Sequence, residues 1–176
     1  PGQVCTLSNK CKEFHDKSQI ILVEPKQSQK SRSRVDIYTI LQKIKKQGQS
    51  QINLDLDVFG SLPSNPIVFN FAETNTFLDD NESLKVSIKI RGREWKQTIK
   101  IVGFNSLAEK YESKLSLSVT DLTVFFDTER DNFTSSVYLD KFKIQKSKLI
   151  ASPGRSVIFN SRDLLTDTIS SYSDFN

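Results

Sequence analysis

The sequence predicts an antiparallel β-sandwich or partly open barrel of about eight strands, with one amphipathic α-helix over residues 33–48 packed on it. Three observations lead there. Apolar residues alternate with polar ones at period two in stretch after stretch, as in strands with one buried and one solvated face. Turn chemistry separates these stretches at short, regular intervals, as in GSLPSNP and SPGRS. Only one stretch has apolar residues at clear helical spacing.

The segment from Leu84 to Val102 has the sharpest pattern. Leu84, Val86, Ile88 and Ile90, then Trp95, Ile99 and Ile101, alternate with polar residues around Gly92-Arg93. A two-residue loop with glycine first suits a type II′ turn, so the segment reads as a hairpin in which Ile90 faces Trp95, Lys89 faces Lys96 and Lys85 faces Lys100. Its outward face would carry Lys85, Lys89, Arg91, Lys96 and Lys100, with Arg93 at the tip, against the single acid Glu94. Facing like charges cost a few tenths of a kcal/mol per pair, on the order of the gain from a favourable pair. Lysines guarding an edge strand explain such a face, and so does an anionic partner.

The remaining elements follow in chain order. Residues 1–17 form an amino-terminal arm holding Cys5, Cys11 and His15. Their spacing lacks the short paired ligands of a zinc site, and the two cysteines are either free or locally bridged. A single β-rich domain spans 18–160. It opens with a strand in SQIILVE, followed by a flexible basic loop at 25–33. Ser33 caps the helix, Asp36 completes the capping exchange and Gly48 stops it, with Ile37, Ile40, Leu41 and Ile44 as its apolar stripe.

QINLDLDVF is an acidic strand, with Asp55 and Asp57 outward. Ile67, Phe69 and Phe71 mark the next strand, and ETNTFLDDNE is an acidic connection. SLAEKYESK reads as a short helix. Residues 114–126 read as one long strand whose apolar set changes parity, as at a β-bulge near Thr120 and Asp121, and a second slip falls near Lys141. The polar segment 161–176 is a carboxyl-terminal tail.

The chain has 176 residues, a net charge of +4 and no methionine. Its charge is segregated. Residues 51–83 hold six acids and no base, whereas residues 84–101 hold six bases and one acid. No apolar run is long enough to cross a bilayer, and the first residues do not resemble a signal peptide. With one histidine, six glycines and no nucleophile elbow or phosphate loop, the sequence points away from an enzyme and calls for no cofactor. The acidic groups around Asp79 and Asp127 read as solvated loops rather than a calcium site.

The functional expectation is a non-enzymatic module that holds a nucleic-acid backbone. Its candidate residues are Lys85, Lys89, Arg91, Arg93, Lys96 and Lys100, with Lys30, Arg32, Arg34, Lys141 and Lys143 in support. The alternatives are a self-assembling coat, matrix or scaffold subunit using complementary acidic and basic faces, and a peripheral module on an acidic lipid surface.

Overall fold

A computed structural model describes residues 2–6, 11–14, 19–23, 34–93, 97–103, 109–127, 134–167 and 171–173. Fourteen strands, two short α-helices and a 3-10 turn occur among them. In chain order they are β1 (Gly2–Thr6), β2 (Cys11–Phe14), β3 (Gln19–Val23), β4 (Arg34–Asp36), α1 (Ile37–Ile44), β5 (Gln51–Val58), β6 (Ile67–Asn70), α2 (Thr74–Asp80), β7 (Lys85–Arg91), β8 (Thr98–Val102), the 3-10 turn Glu109–Tyr111, β9 (Leu115–Thr120), β10 (Thr123–Asp127), β11 (Thr134–Gln145), β12 (Lys148–Ala151), β13 (Ser156–Thr166) and β14 (Ser171–Ser173).

The strands do not form an antiparallel sandwich. One sheet has the order β13-β11-β9-β7-β5-β3-β1-β2 and the other β14-β12-β10-β8-β6-β4. From β3 onward, odd strands build one sheet and even strands the other, and every pairing among them is parallel. The chain winds as a flattened coil, laying each turn on the last, in the manner of a parallel β-helix. Among the described strands only β1 and β2 pair antiparallel, and there Cys5 falls opposite Cys11.

The alternation that suggested antiparallel strands has a different cause. Parallel sheets covered on both faces read as continuous apolar runs, but here each sheet has one face on the core and one in solvent. In β5, Ile52, Leu54, Leu56 and Val58 are buried while Asn53, Asp55 and Asp57 are half-buried on the outside. The turns also shorten. Register steps run 34 residues from Leu54 to Ile88, 29 from Ile88 to Leu117, 25 from Leu117 to Phe142 and 22 from Phe142 to Leu164. A coil whose period changes at every turn leaves no repeat in the sequence.

The predicted hairpin is therefore absent. β7 pairs with β5 and β9, whereas β8 lies in the opposite sheet between β6 and β10. Trp95, Glu94 and Lys96 lie outside the described residues. The parity change near Thr120 is a corner rather than a bulge. β9 ends there, Asp121 takes φ 55°, and β10 begins in the other sheet. The same event recurs at Lys146, with φ 49°, between β11 and β12.

These corners stack. Gly92 N–H donates to Thr120 O at 2.8 Å, Asp121 N–H to Gln145 O at 3.1 Å, and Lys146 N–H to the Asp167 carboxylate at 3.2 Å. Gly92 earns its place by contact: a Cβ there would sit 2.3 Å from Asp121 O and 2.7 Å from Leu122 Cδ2. Buried serines complete other corners. Ser147 Oγ accepts from Leu122 N–H at 3.2 Å and donates to Gln145 O at 2.7 Å. Ser61 Oγ accepts from Ile67 N–H at 2.9 Å and donates to Thr98 O.

The helices form a third wall where the turns are longest. α1 is shorter than the predicted 33–48 span, because Arg34–Asp36 pairs with β6 as a strand, and Asp36 makes no side-chain cap bond. Its Ile37, Ile40 and Leu41 are buried as the stripe requires. The acidic connection at 73–82 contains α2, whose buried Phe77 meets Tyr38 edge-on at 6.5 Å. The core fills the space between the sheets and under these helices, with Phe69, Phe71, Phe77 and Phe142 fully enclosed. The slip near Lys141 is real and shared: Leu139 pairs with Ser161 and Lys141 with Asp163, so both strands carry it.

Gly92→Ala forces its methyl into a backbone carbonyl of the next turn. It is expected to cost about 1–3 kcal/mol, read as a lower urea midpoint at unchanged slope. A midpoint equal to wild type would contradict the stacked-corner geometry.

Candidate anion-binding trough

On the outer face of the odd-strand sheet, parallel register turns sequence neighbours into columns and sequence strangers into rows. One row reads Asp55, Lys89, Ser118, Lys143, Leu165 across β5, β7, β9, β11 and β13. The next carries Asn53, Ser87 and Ser116 across β5, β7 and β9, and Lys141 pairs with Asp163 farther along. Adjacent strands stand about 4.8 Å apart, so the lysines of β7 and β11 rise about 10 Å apart on either side of β9.

The floor between them is low because β9 alternates Leu115, Leu117 and Val119 inward with Ser116, Ser118 and Thr120 outward. Two short hydroxyl side chains below two columns of long ammonium side chains make a trough. It encloses about 310 Å³ and is lined by Lys85, Lys89, Lys114, Lys141 and Lys143, by Ser87, Ser113, Ser116 and Ser118, and by Gln51, Val86, Leu117, Asp140 and Leu165. Asp140 is the only carboxylate in that lining. Asp55 and Asp163 border it from the neighbouring columns.

The five lysines are not equivalent. Lys114 Nζ donates to Leu78 O at 2.7 Å and to Asn81 O at 3.3 Å, so it holds the carboxyl end of α2, where a cation also suits the helix dipole. Lys85, Lys89, Lys141 and Lys143 enter no ion pair among the described residues. The arrangement offers four ammonium donors and a floor of hydroxyls, which suits charge-assisted hydrogen bonds to phosphate, sulfate or carboxylate oxygens.

Of the sequence-derived candidates, four meet here: Lys85 and Lys89 from the basic segment, and Lys141 and Lys143 from the later cluster. The others are placed elsewhere. Arg91 Nε pairs with Asp57 Oδ1 at 3.2 Å, so the acidic strand partly neutralises its basic neighbour within the chain. Arg93 lies over the Phe59 ring at 4.2 Å. Lys100 belongs to the opposite sheet, with Asp127 at 2.9 Å, and Arg34 pairs with Asp36 at 3.5 Å. Lys30, Arg32 and Lys96 lie outside the described residues. Sequence reasoning missed the serine floor, although the alternation LSLSVT was its signal.

Beside the trough, Asp79 finds its partners within the chain. Tyr111 OH donates to Asp79 Oδ1 at 2.7 Å and Lys110 Nζ lies 3.2 Å from the same oxygen. The Tyr111 hydroxyl first, then the Lys110 ammonium, hold the Asp79 carboxyl below its ordinary value of 3.8. Burial and the Asp79 bond push the Tyr111 hydroxyl up, and Lys110 is raised by Tyr111 and Asp79.

Comparison with protein-family models, curated proteins and solved structures returned no match. No helix among the described residues is long and apolar enough to cross a membrane.

A depressed carboxyl contributes stability that is present above its unfolded pKa and is lost as pH falls through the lower folded value. In Tyr111→Phe the carbon-detected NMR titration of Asp79 should move up toward 3.8. An unchanged midpoint would remove the tyrosine from this account.

Proposed function

We propose that this protein is a non-enzymatic binding module that holds an extended polyanion, a nucleic-acid backbone, in the trough over β9. The observation that supports this reading above all is the Lys89-Ser118-Lys143 row, in which two cations without an ion pair among the described residues flank a hydroxyl with room above it. The trough lies on the outer sheet face between the lysine columns of β7 and β11, which suits a chain laid over β9.

The described outer residues that line the trough include no aromatic ring. Base stacking therefore contributes nothing there, and the contacts are to phosphate oxygens. Such binding is sequence-tolerant, salt-sensitive and of modest affinity, because Asp55, Asp140 and Asp163 offset part of the field.

Fluorescence polarisation with labelled single-stranded nucleic acid over a salt series tests this reading. Four phosphate contacts give a log–log salt slope of roughly −3 for a single strand. Lys141→Ala with Lys143→Ala should weaken binding and remove about half of that slope, while Lys100→Ala, on the other sheet, should leave both unchanged. Equal effects from the two sheets, or a flat salt dependence, would refute the assignment.

A further inference from the structure

The last turn of the coil is built unlike the others. β13 is the longest strand but one, with 11 residues, and it ends the odd-strand sheet, pairing with β11 on one side and with no strand on the other among the described residues. It also carries three of the four large apolar side chains exposed among the described residues: Ile158 at 49%, Leu164 at 55% and Leu165 at 48%. Edge strands are ordinarily short, bulged or guarded by charge, and a long apolar edge is a template for another strand. In stacked-turn proteins an uncovered last turn leaves the core open at that end.

The free edge is oriented to accept one. Asp167 N–H donates inward to Ile144 O on β11 at 3.3 Å. By the alternation of a parallel ladder, Arg162, Leu164 and Thr166 turn their N–H and C=O groups away from β11.

The pattern of side chains says which strand fits. Phe159 and Leu164 pair with Val137 and Phe142, whose side chains are buried, so both stand on the core side. Ile158 and Leu165 pair with Ser136 and Lys143 and stand on the outer side. When β13 meets a second β13 antiparallel about a two-fold axis, one register sets Phe159 opposite Leu164 on the core side and Ile158 opposite Leu165 outside. It also sets Asn160 opposite Asp163, and no like charges face each other. The parity slip between residues 159 and 163 is what lets both apolar pairs match at once.

We infer that β13 is the seam of a two-fold dimer of this chain, in which two odd-strand sheets join edge to edge and each copy closes the other's open core. This surface shares Leu165 with the rim of the trough over β9, but the pairing of the two edges does not depend on the trough's ligand.

Sedimentation equilibrium across the micromolar range should give twice the chain mass for the wild type. Ile158→Lys combined with Leu165→Lys puts like charges opposite each other twice and should give the chain mass, whereas Ile158→Lys combined with Leu165→Glu puts opposite charges there and should restore the dimer. Both positions are exposed and outward, and each variant is first checked by circular dichroism for a wild-type spectrum. A wild type that is monomeric throughout, or two double variants that sediment alike, would overturn the inference.

Discussion

Backbone hydrogen bonds between successive turns of the coil are the constraint on which the rest of the molecule depends. They run along the strands as parallel ladders and continue through the corners, where Gly92, Asp121 and Lys146 sit one above another. Each corner must change sheets without leaving its N–H unpaired, since a buried unsatisfied group costs about 1–3 kcal/mol. Positive φ at Asp121 and Lys146, the close approach at Gly92 and the buried hydroxyls of Ser61 and Ser147 all answer that single demand.

Fixed register is also what gives the surface its chemistry. Residues 29 and 25 positions apart, Ile88 to Leu117 and Leu117 to Phe142, become neighbours, and their outward companions do likewise. Two basic segments far apart in the chain thereby flank one serine-bearing strand. The same register brings Asp57 to Arg91, which removes that arginine from the free cations. The carboxylate-rich and lysine-rich strands that look like complementary faces for two molecules are adjacent in one.

Much of the local structure was legible in the sequence. The alternation in β5, β7 and β9 marked which side chains face inward, and the buried set follows it. The stripe Ile37, Ile40, Leu41 marked a helix, and the slip near Lys141 was visible as a parity change. Connectivity was not legible. Period-two alternation reports one wet face and is silent about the direction of the neighbouring strand, so Gly92-Arg93 looked like a hairpin when it is a corner. α2 was hidden because TNTFLDD has only Phe77 and Leu78 as large buried residues, too few to show a helical stripe. The trough could not be read at all without the register, because its two lysine columns have no sequence relation to each other.

The most direct test of the central claim is therefore of register itself. In a background with Cys5 and Cys11 changed to serine, a short thiol-specific bifunctional reagent is applied to two cysteine pairs, Ser118→Cys with Lys143→Cys and Lys85→Cys with Lys100→Cys, which lie in opposite sheets, and intramolecular cross-linking is read by mass spectrometry. Parallel stacking predicts efficient cross-linking of the first pair, whose backbones are register partners, and little of the second. A strong link between 85 and 100 with none between 118 and 143 would restore the hairpin and contradict both the coil and the trough built on it.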